Sequence, residues 1–271
     1  EVMHELGLLP DLLALPHQKL RSIQAVFGSS VLTIADFTGL PVECGFIAFM
    51  PQWDFLDFLA HRAKAYPSFA LRMGCEAVEL IAQDGVVSGL RAKTDAGELE
   101  VSAVLTVAAD GRQSTLRAQS GLRVQDFGAP MDVLWFRVAR GRDAPDQPLG
   151  RFGSGFILIA IDRGDYWQCG YVIPKGAHDR IRARGFDDFR SGIARHAPAL
   201  AEGLKALSGW DDVKLLTVQV NRLEDWCMPG FLCIGDAAHA MVPSAGQGAC
   251  QAFEDAYILG RWLKEVRDPV E

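Results

Sequence analysis

Residues 231–260 read FLCIGDAAHAMVPSAGQGACQAFEDAYILG. An apolar run ends at Gly235-Asp236, and a short segment carrying His239 and Pro243 follows. Gly246-Gln247-Gly248 then opens a stretch in which Ala249, Ala252, Phe253, Ala256, Leu259 and Leu263 fall at offsets 0, 3, 4, 7, 10 and 14, the spacing of one helix face. The order is strand, acid, glycine turn, helix. A nucleophile site would join Ser244 to His239 and Asp236. However, G-x-S-x-G is absent, and triad members normally converge from separate parts of a fold. A metal site needs three or four ligands; Asp236 and His239 supply two, with no other His or Cys suitably spaced. The plain alternative is a helix cap with a surface histidine and a tight turn. No catalytic residue and no metal ligand are assigned.

A cradle for an anionic or phosphorylated cofactor has the better mechanism. A carboxylate at the end of a parallel strand accepts hydrogen bonds from ribose-type hydroxyls. A glycine turn at a helix start lets the backbone approach closely and aims N–H groups at negative charge. Residues 108–117, AADGRQSTLR, give a second apolar strand ending in Asp110-Gly111 before a short helix stopped by Gly121. Two such units suggest two contact points for one extended ligand.

The chain has 271 residues, enough for one large domain or two smaller ones. Its 27 basic and 34 acidic residues give a net charge of −7, which favours neither nucleic acid nor an anionic membrane as partner. No apolar run approaches the ~18 residues of a membrane span. Six cysteines without a C-x-x-C pair, several in apolar runs, read as reduced, buried thiols of a cytoplasmic protein.

Val2, Leu6, Leu9 and Leu13 keep helical spacing, so the chain reads as starting within a helix, an internal piece of a longer protein. Extended pieces follow at residues 22–27 and 31–35, a strand at 45–50, and a helix after Pro51 with Phe55, Leu56, Leu59 and Ala63 on one face. Asp84-Gly85 and Ala96-Gly97 mark hairpins of a three-strand meander that leads into a buried strand at 103–109. Residues 125–217 are strand-rich around one helical patch, 181–207. The expected domains are 1–124, an inserted mixed β region at 125–218, and a return at 219–271.

The two Asp-containing segments resemble the D-G and G-D motifs of flavin-dependent aromatic hydroxylases, the para-hydroxybenzoate hydroxylase-like single-component FAD monooxygenases. Gly235, Asp236, Ala237, Ala238, His239, Pro243, Gly246, Gln247, Gly248, Ala252, Asp255 and Ala256 all match the G-D pattern. The resemblance implies an α/β fold: an FAD-binding, Rossmann-like domain of the glutathione-reductase type with an inserted mixed β-sheet substrate domain. It is incomplete at the N-terminus, because the family's opening strand–GxGxxG–helix is absent. It implies that Asp236, beside Gly235, binds the ribityl–ribose region of FAD and that Pro243 lies beside the flavin ring. The backbone of Gly246, Gln247, Gly248 and Ala249 would face the pyrimidine edge. Asp110 and Gly111 would help hold cofactor, and Asp110 would assist NAD(P)H use. Gln52 stands where the family usually has an arginine on the FAD pyrophosphate, and Cys250 where it has an asparagine. His239 would have a packing or hydrogen-bonding role.

The implied activity is hydroxylation of an aromatic or similarly electron-rich small molecule, using NAD(P)H and O2 through a flavin C4a-hydroperoxide. The substrate would lie between flavin and inserted sheet. Trp135, Phe136, Phe156, Tyr166 and Trp167 are candidate wall residues, about half of which face elsewhere at a period of two. A homodimer is one assembly this allows. A related FAD-dependent reductase that does not hydroxylate, and an inert fragment unable to hold FAD, stay open as alternatives.

Overall fold

The structure, a computed structural model, describes residues 2–141, 149–243 and 246–265. Its chain forms two compact units, each from two stretches of sequence: Met3–Ala63 with Pro130–Thr217, and Lys64–Ala129 with the residues from Val218 on.

The first unit is built on a seven-stranded sheet. Its order is Lys214–Leu216, Met131–Ala139, Tyr166–Pro174, Phe156–Asp162, Leu149–Gly153, Ser22–Phe27 and Ser30–Asp36. Neighbours are antiparallel except Leu149–Gly153 beside Ser22–Phe27. Register sorts the side chains into two faces. Phe136 lies opposite Cys169 and Cys169 opposite Ala160, so Leu134, Phe136, Val138, Leu158, Ala160, Trp167 and Cys169 share one buried face. The Phe186–His196 helix lays Phe189 and Ile193 on it, with Phe189 edge-on to Phe136 at 5.7 Å. Two acids buried in this unit are paired. Asp162 lies 3.0 Å from Arg140, and Asp132 lies 2.9 Å from Lys175 and accepts from the Gly176 N–H.

The sequence places residues 1–124 in one domain and 125–218 in another. In the structure the Ser22–Asp36 hairpin instead extends the sheet of residues 131–216. Ala25, Val26 and Phe27 pair in parallel with Gly150, Arg151 and Phe152, and Phe27 stacks on Phe152 at 5.2 Å. Two expected helices are also broken. The N-terminal one splits into Val2–Glu5 and Leu9–Ala14 at Gly7, whose φ of 68° is left-handed. The patch at 181–207 splits into His178–Ala183, Phe186–His196 and Ala201–Leu204, interrupted by Gly185 at φ 100° and by Pro198.

The second unit carries three three-stranded sheets. Glu76–Gln83, Val86–Thr94 and Gly97–Ser102 form the expected meander. Asp84 at φ 54° and Gly85 at φ 79° make its first turn, the left-handed pair that matches strand twist. Phe231–Cys233 lies between Cys227–Met228 and Thr106–Ala108 and runs parallel to the latter. Ala108, Phe231 and Cys233 are buried, as the apolar runs require, although the expected strand at 103–109 is only three residues long. A third sheet joins His239–Ala240, Asn221–Leu223 and Val124–Asp126. The 19-residue helix Gln247–Glu265 completes the unit. Among the described residues, no helix is long and apolar enough to cross a membrane.

Candidate cofactor site

The strand Phe231–Cys233 ends in a 3-10 turn, Gly235–Ala237, that presents Asp236. Gly235 adopts a φ of 58°, and a β-carbon there would lie 3.0 Å from that of Ala252. Only glycine meets both conditions without strain. The Gly235 N–H donates to Asp255 Oδ2 at 2.8 Å, and the same oxygen lies 2.7 Å from His239 Nε2. The Trp226 ring covers the imidazole at 4.9 Å. His239 is therefore engaged by Asp255 and Trp226, a structural role rather than a ligating one.

The helix Gln247–Glu265 starts beside this turn. A β-carbon on Gly248 would come within 3.8 Å of Asp236 Oδ1. Gly246 has a φ of 68°, and its N–H donates to the Pro243 carbonyl at 3.4 Å. Pro243, Gly246, Gln247 and Ala249 are exposed and Gly248 is half-buried, so the first turn of a long helix opens outward. Its N–H groups have no partner within the helix, and the helix dipole places positive charge at that end.

The other motif reaches the same place. Thr106–Ala108 pairs with Phe231–Cys233, and the Ile234 N–H donates to the Ala108 carbonyl at 3.0 Å. Asp110 follows, and its Oδ2 accepts the Thr115 N–H at 3.1 Å, helping the Ser114 hydroxyl to cap the helix Thr115–Ser120. Gly111 has a φ of 88°. Arg112 Nε lies 3.5 Å from Asp236 Oδ2. Arg117 donates from Nη1 to the Ala237 carbonyl at 2.9 Å and from Nη2 to the Arg112 carbonyl at 2.6 Å.

Of the ten residues singled out in the sequence, nine thus lie in the second unit: Asp110, Gly111, Gly235, Asp236, Pro243, Gly246, Gln247, Gly248 and Ala249. Gln52 belongs to the first, where it is exposed at the start of the helix Gln52–Ala63. Arg112, Arg117 and Asp255 were not singled out for roles. Arginines near an Asp-Gly turn and an acid one turn beyond Ala252 were visible, but their partners are remote in sequence. Ser244 lies outside the described residues. No group of three or more His, Cys, Asp or Glu suited to a metal occurs among the described residues.

The donor set fits an extended polyol-and-ring cofactor. Asp236 offers acceptors for hydroxyls, and an open, glycine-rich helix start offers N–H donors for an electron-rich edge. The thiols depart from expectation. Cys169 and Cys233 are buried, and burial pushes their pKa values up to about 12 and about 11. Cys227 and Cys250 are exposed, because Cys227 sits in a two-residue strand and Cys250 on the outward turn of the long helix.

The candidate wall residues also separate. Phe136 and Trp167 point into the core under the Phe186–His196 helix, and Phe156 stacks on His196 at 3.7 Å. Trp135 and Tyr166 occupy the opposite face with Arg137 and Gln168. There the Trp135 ring lies against Gly170, 3.1 Å from where a β-carbon would be. Arg163 donates to Gln168 Oε1 at 3.0 Å and lies 6.0 Å from the Phe49 ring, and burial lowers its pKa.

The sequence model of the FAD binding domain matches residues 1–268. The 6-methylpretetramide 4-monooxygenase of Streptomyces rimosus is 31% identical over 225 residues, 82% of this chain and 53% of that protein. Salicylate hydroxylase of Pseudomonas putida is 40% identical over 203 residues, 69% of this chain and 43% of that protein. The chain spans about half the length of these relatives. In fold it resembles PqsL, a probable FAD-dependent monooxygenase from Pseudomonas aeruginosa, with a TM-score of 0.79 and 18% identity over 97% of this chain and 73% of that one.

Proposed function

The chain belongs to the FAD-binding-domain family, and from that premise we propose that its activity is that of an FAD-dependent monooxygenase. It would insert one oxygen atom of O2 into an aromatic or similarly electron-rich small molecule, with NAD(P)H as electron donor. The observation that carries the reading is the ion pair and hydrogen-bond set Arg112–Asp236 and Arg117–Ala237. It makes one site of two motifs separated by more than a hundred residues and leaves the glycine turn of the long helix open beside it.

When bound, the flavin supplies the redox and oxygen chemistry. This chain's residues bind and orient it. Asp236 accepts hydroxyls of the ribityl chain, with Arg112 fixing one carboxylate oxygen. Pro243 stiffens the approach beside the ring. The N–H groups of Gly246, Gln247, Gly248 and Ala249 meet the pyrimidine edge, where they and the helix dipole favour negative charge. Asp110 and Gly111 shape the second contact. The seven-stranded sheet serves as the substrate domain. Its face bearing Trp135, Tyr166, Arg137 and Arg163 suits a flat ring, and the half-buried Arg163 suits an acidic substituent on it. A cytoplasmic location and a small-molecule partner go with this reading.

The test is a titration of the purified chain with FAD, followed by flavin fluorescence, then NAD(P)H oxidation with a panel of aromatic acids and phenols. A saturable FAD complex and a product that gains one oxygen are expected. A chain that stays colourless with added FAD removes the reading. A product that gains two hydrogens instead makes it a reductase.

A further inference from the structure

We infer that Asp255 is a positioning residue of the cofactor site: by gripping the Gly235 N–H and the His239 imidazole together, it sets where the Asp236 carboxylate sits. The inference rests on the FAD-binding reading above and adds a residue that acts without touching the cofactor.

Three positions on one stripe of the long helix face the turn, Gly248, Ala252 and Asp255, at offsets 0, 4 and 7. Gly248 lies beside Asp236 Oδ1, Ala252 lies against Gly235, and Asp255 Oδ2 takes the Gly235 N–H at 2.8 Å and His239 Nε2 at 2.7 Å. Small residues at the first two sites let the turn approach, and Asp255 adds directed bonds. The Asp255 and His239 side chains are only 14% and 15% exposed, so these bonds are shielded from water. Charge-assisted hydrogen bonds in such surroundings are short and strong, and a partly buried acid would be costly without them.

The consequence falls on Asp236. It follows Gly235 directly, and the turn is held from outside by Arg117 on the Ala237 carbonyl, by Arg112 beside the Asp236 carboxylate and by Asp255 on the Gly235 N–H. Without Asp255, the Gly235 end of the turn loses its directed side-chain bond, while Arg117 still holds the Ala237 end. The Asp236 carboxylate then leaves its place beside Gly248, where the helix start opens. His239 holds the same Asp255 oxygen, Oδ2, and is itself fixed by Trp226 and by the pairing of Arg222 with His239.

The test is a double-mutant cycle on FAD affinity in the full chain, with thermal unfolding recorded for every variant. Asp255→Asn is expected to weaken FAD about tenfold or more, and Asp236→Asn by a similar factor. The double variant should be no worse than the weaker single within about twofold, since both changes remove one interaction. His239→Gln, which keeps a donor, should stay within about threefold of wild type, whereas His239→Leu should fall with Asp255→Asn. Wild-type affinity in Asp255→Asn, or losses that multiply in the double variant, overturns the inference. If Asp255→Asn does not fold, the His239 pair carries the comparison, and equal affinities of the two overturn it. If the wild-type chain binds no FAD, the functional reading fails and the clamp is read without cofactor. Amide exchange at Gly235 should then accelerate about tenfold in Asp255→Asn or His239→Leu and stay slow in His239→Gln; unchanged exchange in the folded Asp255→Asn or His239→Leu variant overturns the clamp.

Discussion

Arg117 and Ala237 are 120 residues apart and meet through a hydrogen bond of 2.9 Å, guanidinium Nη1 to carbonyl oxygen. The other arm of the same guanidinium holds the carbonyl of Arg112, whose Nε reaches Asp236. One planar fork therefore ties the helix Thr115–Ser120 to the turn Gly235–Ala237. It also fixes the backbone that carries the partner of Asp236.

Replacing that fork separates shape from charge. Lysine keeps the charge but presents a compact ammonium on a flexible stem and does not span both carbonyls. Arg117→Leu leaves both without their donor and should cost about 1–3 kcal/mol of stability. Arg117→Lys should recover a minority of that. Denaturant unfolding at constant m-value reads the difference; wild-type stability in Arg117→Lys would show that charge alone matters, and equal stability of the two variants that charge contributes nothing.

Gly235→Ala meets two obstacles at once, a left-handed φ of 58° and a contact of 3.0 Å with the Ala252 β-carbon. The expected loss is about 2–4 kcal/mol. Gly235→Ala combined with Ala252→Gly removes the contact and leaves the backbone strain, so it should regain only part of the loss, further reduced by glycine in a helix interior. Full recovery in the double variant would make packing the sole constraint.

The thiols give a pH prediction. Burial raises Cys169 from the ordinary 9.0 to about 12 and Cys233 to about 11, so both stay protonated in the fold. In the unfolded chain they ionise near the ordinary value. Their contribution to stability is therefore whole below pH 9 and lost as pH rises toward 11–12. Cys169→Ala should flatten the alkaline limb by about 1.4 kcal/mol per pH unit. At pH 8 a thiol reagent should reach Cys227 and Cys250 first, and Cys169 and Cys233 only on unfolding.

What could be read from the sequence follows from where each determinant lies. Asp84-Gly85 needs nothing beyond its own backbone, and Phe231–Cys233 declares its burial by composition. The glycine turn before the long helix is equally local. Pairing of Ala25 with Gly150 leaves no such trace, since nothing in residues 22–36 specifies a partner more than a hundred positions on. Arg117 and Asp255 were hidden for the same reason. The breaks at Gly7 and Gly185 turn on single left-handed glycines inside otherwise helical spacing. Cys250 was grouped with the buried thiols on apolar context alone, which does not say which side of a helix a residue takes.

Gln52 gives a test of gain rather than loss. It is exposed at the first position of the helix Gln52–Ala63. Gln52→Arg places a cation at a helix N-terminus, which should lower stability by about 0.3–1 kcal/mol through the dipole. If Gln52 takes the pyrophosphate end of FAD, the same change adds a charge-assisted contact to phosphate. Binding should then tighten about five- to tenfold at low salt, and the gain should shrink as ionic strength rises. Riboflavin lacks the phosphates, so its affinity should not change between the two chains. Parallel fluorescence titrations with FAD and riboflavin at two salt concentrations read all three effects. An equal gain for both ligands would place the new arginine on the ring or ribityl chain, and no gain for either would remove Gln52 from the cofactor site.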